Sequence, residues 1–179
     1  MSNHWLSRGA VFGATCLTVM APAAALAAGG DPPGANGTVK IDGEDFDDTP
    51  EVRNEPHVTC RFELEFFGFD EGQRADIVFS EHPPTGTAVV RQDRSVLASA
   101  DAAGGAAPDP DETYRYEVFA GGAGDGDGDG FRDILLTDGA VANAQQGYHL
   151  RVDVDLYDAD GSRVPGAGKH KVFWVEPCA

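Results

Sequence analysis

The sequence predicts an all-β protein, arranged as an antiparallel β-sandwich of immunoglobulin-like type with about seven strands. Apolar and polar residues alternate with a period of two in several segments, as they do on half-buried strands. Clusters of Gly, Pro, Asp and Asn separate these segments, and no segment shows the period of an amphipathic helix. A small β-barrel is the alternative arrangement of the same strands.

The most amphipathic early strand is predicted over residues 58–66. Its apolar side consists of Val58, Cys60, Phe62, Leu64 and Phe66. Arg and Glu occupy its other side, so we expect one face to pack on a core and the other to face solvent. A strand over residues 75–79 follows, with Ala75, Ile77 and Phe79 on its apolar side. The Pro-Pro-Thr-Gly sequence at 83–86 predicts a turn after it.

Shorter strands are predicted over residues 88–91 and 95–98, on either side of a Gln-Asp-Arg turn at 92–94. A loop rich in Gly, Ala and Pro over residues 102–110 leads to the next strand. That strand is predicted over residues 114–118, where Tyr and Val alternate with Arg and Glu.

The clearest amphipathic strand is predicted over residues 148–156. Tyr, Leu and Val alternate there with His, Arg and Asp. A turn region over residues 158–168 separates it from the closing strand at 171–175, which contains Trp174.

The amino terminus has the three parts of a secretory signal peptide, which we place at residues 1–28. A start with one Arg and no acid precedes an apolar stretch over 10–20, and Ala25-Leu26-Ala27 supplies small residues for cleavage. We expect cleavage after Ala27 or Ala28 and a secreted protein, either extracellular or loosely associated with the cell wall. No second long apolar run follows, so no membrane span is expected after cleavage.

The mature chain divides into two predicted parts. Residues 29–56 are expected to form a flexible acidic lead-in with at most one short strand, Thr38 to Ile41. Residues 57–179 are expected to form the β domain. The formal net charge of the chain is −17, from 13 Lys and Arg against 30 Asp and Glu. A charge of this sign disfavours binding to nucleic acid and to anionic membrane surfaces.

Two cysteines, Cys60 and Cys178, remain after removal of the signal peptide. Because oxidising compartments favour pairing, we predict a disulfide between them that closes the β domain. Cys60 is expected on the inward face of an early strand, and Cys178 just beyond the last. The chain-entropy estimate for a loop of this length is about 4–5 kcal/mol.

Five motifs in chain order resemble a group of small secreted actinobacterial proteins of unknown function. They are Asn-Glu-Pro-His-Val-Thr-Cys at 54–60, Phe-Phe-Gly-Phe-Asp at 66–70, Pro-Pro-Thr-Gly at 83–86, Gln-Gln-Gly-Tyr-His at 145–149, and Lys-His-Lys-Val-Phe-Trp-Val at 169–175 followed by Cys178. The resemblance implies export and a compact β domain with this cysteine pair, and it implies no activity. Some members carry wall-sorting tails, and because residues 169–179 do not resemble one, we do not expect attachment to the wall by that route.

An Asp-Gly run resembles part of a calcium-binding loop. Four acidic residues occupy loop positions 1, 3, 5 and 9, namely Asp125, Asp127, Asp129 and Asp133, and a Gly occupies position 6. Position 12 is Leu136, where such a loop has a bidentate Glu, and no helix is predicted before the run. A weak calcium site is therefore one interpretation, and a flexible polar connection between strands, with no cofactor, is the other.

Histidines raise the question of a transition-metal site. His149 and His170 lie on strands expected to be near each other, with Asp153 close by, and imidazole with carboxylate suits such an ion. No short-spaced His motif is present, so surface imidazoles are the favoured interpretation.

The sequence contains no recognisable catalytic motif. The pairs Glu63 with Glu65 and Asp153 with Asp155 each share one strand face, whereas a glycosidase needs two carboxylates across a cleft. No nucleophile elbow and no phosphate-binding Gly loop is present. The sequence leaves open whether the protein is an enzyme and favours a non-enzymatic role.

The expected function is an extracellular binding or surface-interaction module for an unknown ligand or cell-surface component. The alternative is a secreted hydrolase whose site is assembled from distant residues. Aromatic contact candidates, if exposed, are Phe67, Phe69, Tyr157 and Trp174.

Overall fold

The computed structural model describes residues 37–43, 54–100, 110–121, 124, 126 and 128–176. These residues form nine strands and no helix, so the all-β prediction is confirmed. The strands are β1 (Thr38–Gly43), β2 (His57–Val58), β3 (Arg61–Phe67), β4 (Arg74–Glu81), β5 (Val89–Leu97), β6 (Glu112–Phe119), β7 (Arg132–Leu135), β8 (Tyr148–Tyr157) and β9 (Lys169–Val175). A helix with the length and hydrophobicity to cross a membrane is not found in the described part of the chain.

The strands form two sheets that face each other as a sandwich. The order is β1-β3-β6-β7 in the four-stranded sheet and β2-β9-β8-β4-β5 in the five-stranded sheet. Between described strands, five ladders are antiparallel, while β2 with β9 and β6 with β7 are parallel. The expected sandwich is therefore confirmed, with mixed rather than wholly antiparallel sheets, and the strands do not close into the alternative barrel.

Aromatic rings fill the centre of the core between the sheets. Phe62 of β3 contacts the rings of Tyr116, Phe173 and Phe79, with centroid separations of 5.1 to 6.0 Å. These residues come from both sheets and are almost completely excluded from solvent. Such ring pairs add specific geometry to the burial of apolar surface. The period-2 pattern therefore identified the inward faces of β3, β4 and β6 correctly.

The first strand lies in the segment predicted as a flexible lead-in, yet it is part of the sandwich. β1 pairs along its whole length with β3, and its Val39 and Ile41 have no solvent exposure. The amide of Ile41 donates to the side chain of Asn54, and the amide of Glu55 donates to the carbonyl of Ile41. The described β domain therefore includes β1, ahead of His57.

The long early strand predicted from the sequence is divided between the two sheets. β2 ends at Val58 in the five-stranded sheet, and β3 begins at Arg61 in the four-stranded sheet. Thr59 and Cys60 carry the chain across, and the Cys60 carbonyl accepts a hydrogen bond from the amide of Val118 at 2.9 Å. Cys60 is half-buried at this crossing, so the prediction that it lies within a strand is wrong.

β5 is continuous at the position where a turn was predicted. Residues 89–97 form one edge strand along β4, with two register shifts. Ser95, the residue directly after the predicted turn, has a φ of 52°. The turn was predicted because three polar residues in a row, Gln-Asp-Arg, are typical of a turn that faces solvent. The prediction is wrong because Asp93 is directed between the sheets.

Asp93 joins the two sheets at this edge. Its carboxylate is 9% exposed and accepts hydrogen bonds from Arg91 at 2.7 Å and from the Tyr116 hydroxyl at 2.9 Å. Arg132 of β7 adds an ion pair at 3.1 Å. Burial acts to raise the pKa of Asp93, but the hydrogen bonds and charge of Arg91, with those of Tyr116 and Arg132, hold it below its usual range. The carboxylate is therefore charged and fully coordinated by donors from both sheets.

Replacing Asp93 with Ala is expected to lower the free energy of unfolding by about 3 kcal/mol, because two arginines and a buried hydroxyl lose their acceptor. Urea denaturation at pH 7 measures this. The matched control is Asp153→Ala, which removes the carboxylate of an ion pair whose side chains are 41% and 42% exposed and should cost less than about 1 kcal/mol. Equal losses in the two variants would contradict the role of Asp93 as a joint between the sheets.

Candidate functional site

Three aromatic rings stand side by side on the outer face of the five-stranded sheet. His149 of β8 and Trp174 of β9 lie opposite each other in the ladder, and their rings stack with centroids 4.2 Å apart and planes 12° apart. His82, directly after β4, contacts the His149 ring edge to face at 4.7 Å. We call His82, His149 and Trp174 the ring row.

The turn after β4 fixes the centre of the ring row. The His82 amide donates to the His149 carbonyl at 2.8 Å, and the His149 amide donates to the Thr85 hydroxyl at 2.6 Å. The His149 Nδ1 lies 2.8 Å from the Pro83 carbonyl oxygen. Because a carbonyl only accepts, this contact assigns the hydrogen to Nδ1 and leaves Nε2 with the lone pair in the neutral ring.

A buried carboxylate supports the same turn. Glu81, the last residue of β4, is 4% exposed and accepts from the Thr137 amide at 2.8 Å and from its hydroxyl at 2.7 Å. Gly86 lies so close to the other Glu81 carboxylate oxygen that a Cβ would not fit there. Strand β4 and the loop at Thr137 therefore hold the turn together, and the turn places Thr85 against His149.

Burial and nearby charges favour the neutral form of His82. Desolvation, followed by the charges of His149 and Arg151, lowers the pKa of His82 below its ordinary value. Arg151 lies on the same face and makes a bidentate contact with Asp153 at 2.5 and 2.7 Å. His82 is therefore mainly uncharged at pH 7 and offers a nitrogen lone pair.

The surroundings of the ring row are open rather than enclosed. Val172, two residues before Trp174, is 45% exposed, and His57 of β2 pairs with Trp174 from the other side and is also exposed. A nearby depression of about 170 Å³ is lined by Ala120, Gly121, Thr137, Asp138, Ala140 and Tyr148. This volume is below the ~300 Å³ at which pockets for small organic ligands begin. The ring row therefore belongs to a broad surface.

Only Trp174 of the four aromatic contact candidates belongs to the ring row. Phe69 is 3% exposed and packs in the core. Phe67 is half-buried beneath the ammonium group of Lys40, which lies 5.5 Å from its centroid. Tyr157 is half-buried on β8 and its hydroxyl donates to Asp76 at 3.4 Å.

The histidine pair considered in the sequence does not come together. His149 is opposite Trp174 and His170 is opposite Asp153, so four residues along the ladder, or about 13 Å, separate the two. The strands are adjacent, as expected, but the neighbour of His149 is His82. Sequence spacing carried no signal for this contact, because the two histidines belong to segments that are distant along the chain.

The proposed calcium loop runs directly into an unpredicted strand. Asp125 and Asp127 lie outside the described residues, while Asp133 is in β7, opposite Glu117. Leu136, at loop position 12, is 3% exposed and belongs to the core. The alternation of Ile134 and Leu136 was the signal for β7 in the sequence.

The remaining aspartate of the loop is held by an arginine. Asp129 Oδ2 accepts from Arg61 at 2.8 Å, and Arg61 also reaches Glu117 at 3.1 Å. The guanidinium lies 4.6 Å from the centroid of Phe131. A calcium ion would compete with this cation for Asp129, and calcium binding stays a prediction.

Three carboxylates lie together on the outer face of the four-stranded sheet. The ligand oxygens of Asp42, Glu63 and Glu65 are all within 4.8 Å of one another, and Glu63 also accepts from Arg115 at 2.7 Å. Burial, followed by the charges of Asp42 and Glu63, raises the pKa of Glu65 to about 7, although Lys40 offsets part of this. Glu63 is 7% exposed, so these two glutamates are not the solvated pair that the sequence suggested. Burial and the neighbouring carboxylates therefore keep Glu65 protonated up to about pH 7.

The variant Glu65→Gln is expected to be more stable than the wild type at pH 8 by about 1 kcal/mol, a value reduced for partial exposure. The folded chain holds the Glu65 proton more tightly than the unfolded chain, whose pKa is 4.5. Wild-type stability therefore falls as the pH rises from 4.5 to about 7, and the variant lacks this loss. Urea denaturation at pH 4 and pH 8 measures the difference, with Glu71→Gln as an exposed control. A stability difference that does not change with pH would contradict the raised pKa of Glu65.

The chain matches no protein-family model, no curated protein and no solved structure at a significant level of similarity. No relative therefore supplies a ligand, a reaction or a site residue. The resemblance to small secreted actinobacterial proteins stays a prediction.

Proposed function

We propose that the protein is a secreted, non-enzymatic binding module that contacts a cell-surface component through the ring row. The observation that carries this proposal is the stack of His149 on Trp174, at 4.2 Å, on an open sheet face. Aromatic side chains supply large contact areas with few rotatable bonds, and they are enriched at binding surfaces. The turn that fixes His149 keeps this surface in one arrangement before a partner arrives.

The ring row is already ordered in the unbound protein, and this order favours binding. Association costs free energy when side chains must be ordered, and a preorganised surface reduces that cost. His149 is held by Thr85 and Pro83, and Trp174 is held against His149 by stacking. The exposed Val172 extends the apolar part of the contact surface.

A secreted hydrolase is the second candidate, and Glu65 is the observation in its favour. A carboxyl with a pKa of about 7 takes up and releases protons near neutral pH. Glu63, on the same strand, is ion-paired with Arg115 and provides a second carboxylate. The two are neighbours on one sheet face, however, rather than partners across a cleft.

The two candidates differ in what the protein does to isolated cell walls of the encoding organism. The binding module is expected to co-sediment with the walls and to release no soluble fragments, whereas a hydrolase releases them. Trp174→Ala should reduce the bound fraction at least tenfold because it removes one ring and the support of His149.

The control for this experiment is Leu135→Gln, on β7 of the opposite sheet, where Leu135 is 38% exposed. This variant should bind like the wild type. Equal binding by wild type and Trp174→Ala would refute the ring row as the contact surface. Fragment release that is abolished by Glu65→Gln would favour the hydrolase.

We also infer that the exported chain is closed by a disulfide between Cys60 and Cys178. Cys60 is a free thiol in the structure, and Cys178 lies outside the described residues. Support comes from the parallel ladder of β2 and β9, where Val58 is opposite Val175 and accepts from the Glu176 amide at 3.0 Å. Cys60 follows Val58 by two residues, and Cys178 follows Glu176 by two residues. Two residues span at most about 7 Å, so each cysteine is within a short stretch of chain from this one hydrogen bond.

If this disulfide forms, the exported chain recovered from culture fluid should react with a thiol reagent at Cys60 and Cys178 only after reduction. Cys60→Ser and Cys178→Ser should each lower the free energy of unfolding by about 3–4 kcal/mol, and the double variant should lose no more than either single one. Cys16→Ser is the control and should not alter the stability of the exported chain, since Cys16 lies in the predicted signal peptide. Equal labelling before and after reduction would disprove the bridge.

A further inference from the structure

We propose that His82 and His149 bind a divalent transition-metal ion on the outer face of the five-stranded sheet. Imidazole nitrogen is a preferred ligand of copper, zinc and nickel ions, and two histidines held on one face provide two such ligands. The inference concerns the same surface as the proposed binding function, but it does not depend on a cell-surface partner.

The separation of the two rings fits a shared ion. A metal about 2.0–2.1 Å from one nitrogen of each imidazole, with an angle of about 90–110° between the two bonds, places the ring centroids about 4.5–5.3 Å apart. The centroids of His82 and His149 are 4.7 Å apart. Rotation of the half-exposed His82 ring is the adjustment that binding requires, because the two rings now meet edge to face.

His149 already has the supporting contact typical of a metal ligand. In a ligating histidine, the N–H of the second ring nitrogen donates a hydrogen bond to a carboxylate or to a backbone carbonyl. This contact fixes the tautomer and the direction of the ring. The Nδ1 of His149 lies 2.8 Å from the Pro83 carbonyl, so Nε2 carries the lone pair. Stacking on Trp174 holds the plane of the ring.

The charges near the pair permit a cation. A metal ion binds the neutral form of imidazole. Arg151 lies two residues after His149 on the same face of β8, and its guanidinium is engaged in a bidentate contact with Asp153. The chain as a whole carries a formal charge of −17, which attracts cations to its surface.

Two other histidines of the same sheet are too distant to share the ion. Trp174 lies between His57 and His149 across the strands, so His57 is about 10 Å from His149 at the ~4.8 Å strand spacing. His170 is four residues along the ladder from the position opposite His149. The site therefore predicts which histidines matter and which do not.

Trp174 provides a direct optical readout, because Cu²⁺ bound at His149 would quench the fluorescence of a ring stacked on that imidazole. The chain contains two tryptophans, so the full chain is used with Trp5→Phe to leave Trp174 as the reporter. Titration with Cu²⁺ at pH 7.5 is expected to give saturable quenching with one ion per chain. Calorimetric titration with Cu²⁺ and with Zn²⁺ supplies the stoichiometry independently, and Cu²⁺ should bind more tightly.

His82→Gln and His149→Gln, each in this background, should weaken Cu²⁺ binding at least tenfold. His57→Gln and His170→Gln should leave it unchanged, and Glu65→Gln controls for binding at the cluster of Asp42, Glu63 and Glu65. Thermal unfolding without metal checks that each variant is folded. Should His149→Gln prove unstable, His82→Gln alone still decides, because His82 is half-exposed and its ring makes no contact needed for the core.

The proposal is overturned if quenching does not saturate, if His82→Gln binds like the wild type, or if affinity is lost in His170→Gln or Glu65→Gln instead. These outcomes are independent of co-sedimentation with cell walls. If the protein binds Cu²⁺ at His82 and His149 but does not co-sediment with cell walls, the proposed function is refuted and the metal site is not.

Discussion

The packing of Phe62 between the two sheets is the contact on which the rest of the structure depends. Its ring touches Phe79 and Phe173 of the facing sheet and Tyr116 of its own. Because side chains alternate along a strand, a shift of one residue in the pairing of a strand would direct its ring toward solvent. The core therefore determines the register of every ladder, and the register places His149 opposite Trp174 on the other face.

Tyr116 links this apolar core to the polar edge of the sandwich. Its ring packs on Phe62 and Phe79, and its hydroxyl donates to Asp93. Burial and the neighbouring Asp93 raise the pKa of Tyr116, so the hydroxyl keeps its proton and remains a donor. β5 is thus an edge strand that carries three charged residues, of which Asp93 is buried and ion-paired with Arg91 while Arg94 pairs with Asp76 of β4. Charged residues on an edge strand protect it against unwanted strand pairing.

The two outer faces differ in chemistry although both belong to one acidic chain. The four-stranded sheet carries carboxylates at the Asp42, Glu63 and Glu65 positions, where crowding raises a pKa to about 7. The five-stranded sheet carries imidazoles and an indole at one end, with little net charge around them. On the four-stranded sheet, Glu65 holds a proton up to about pH 7. The five-stranded sheet offers ring surface and nitrogen lone pairs. The proposed binding function and the proposed metal site both use the second face.

Local alternation of residues was enough to predict β3, β4, β6 and β8, because the orientation of successive side chains depends only on the strand itself. It did not reveal that the chain crosses between sheets at Cys60 or that Asp93 is buried. Each of these depends on a partner distant in the chain, such as Tyr116 for Asp93. The sequence by itself determined the fold class and the inward faces. Tertiary structure alone decided that His82, His149 and Trp174 stand together, because three separate segments meet there only when the core has set their register.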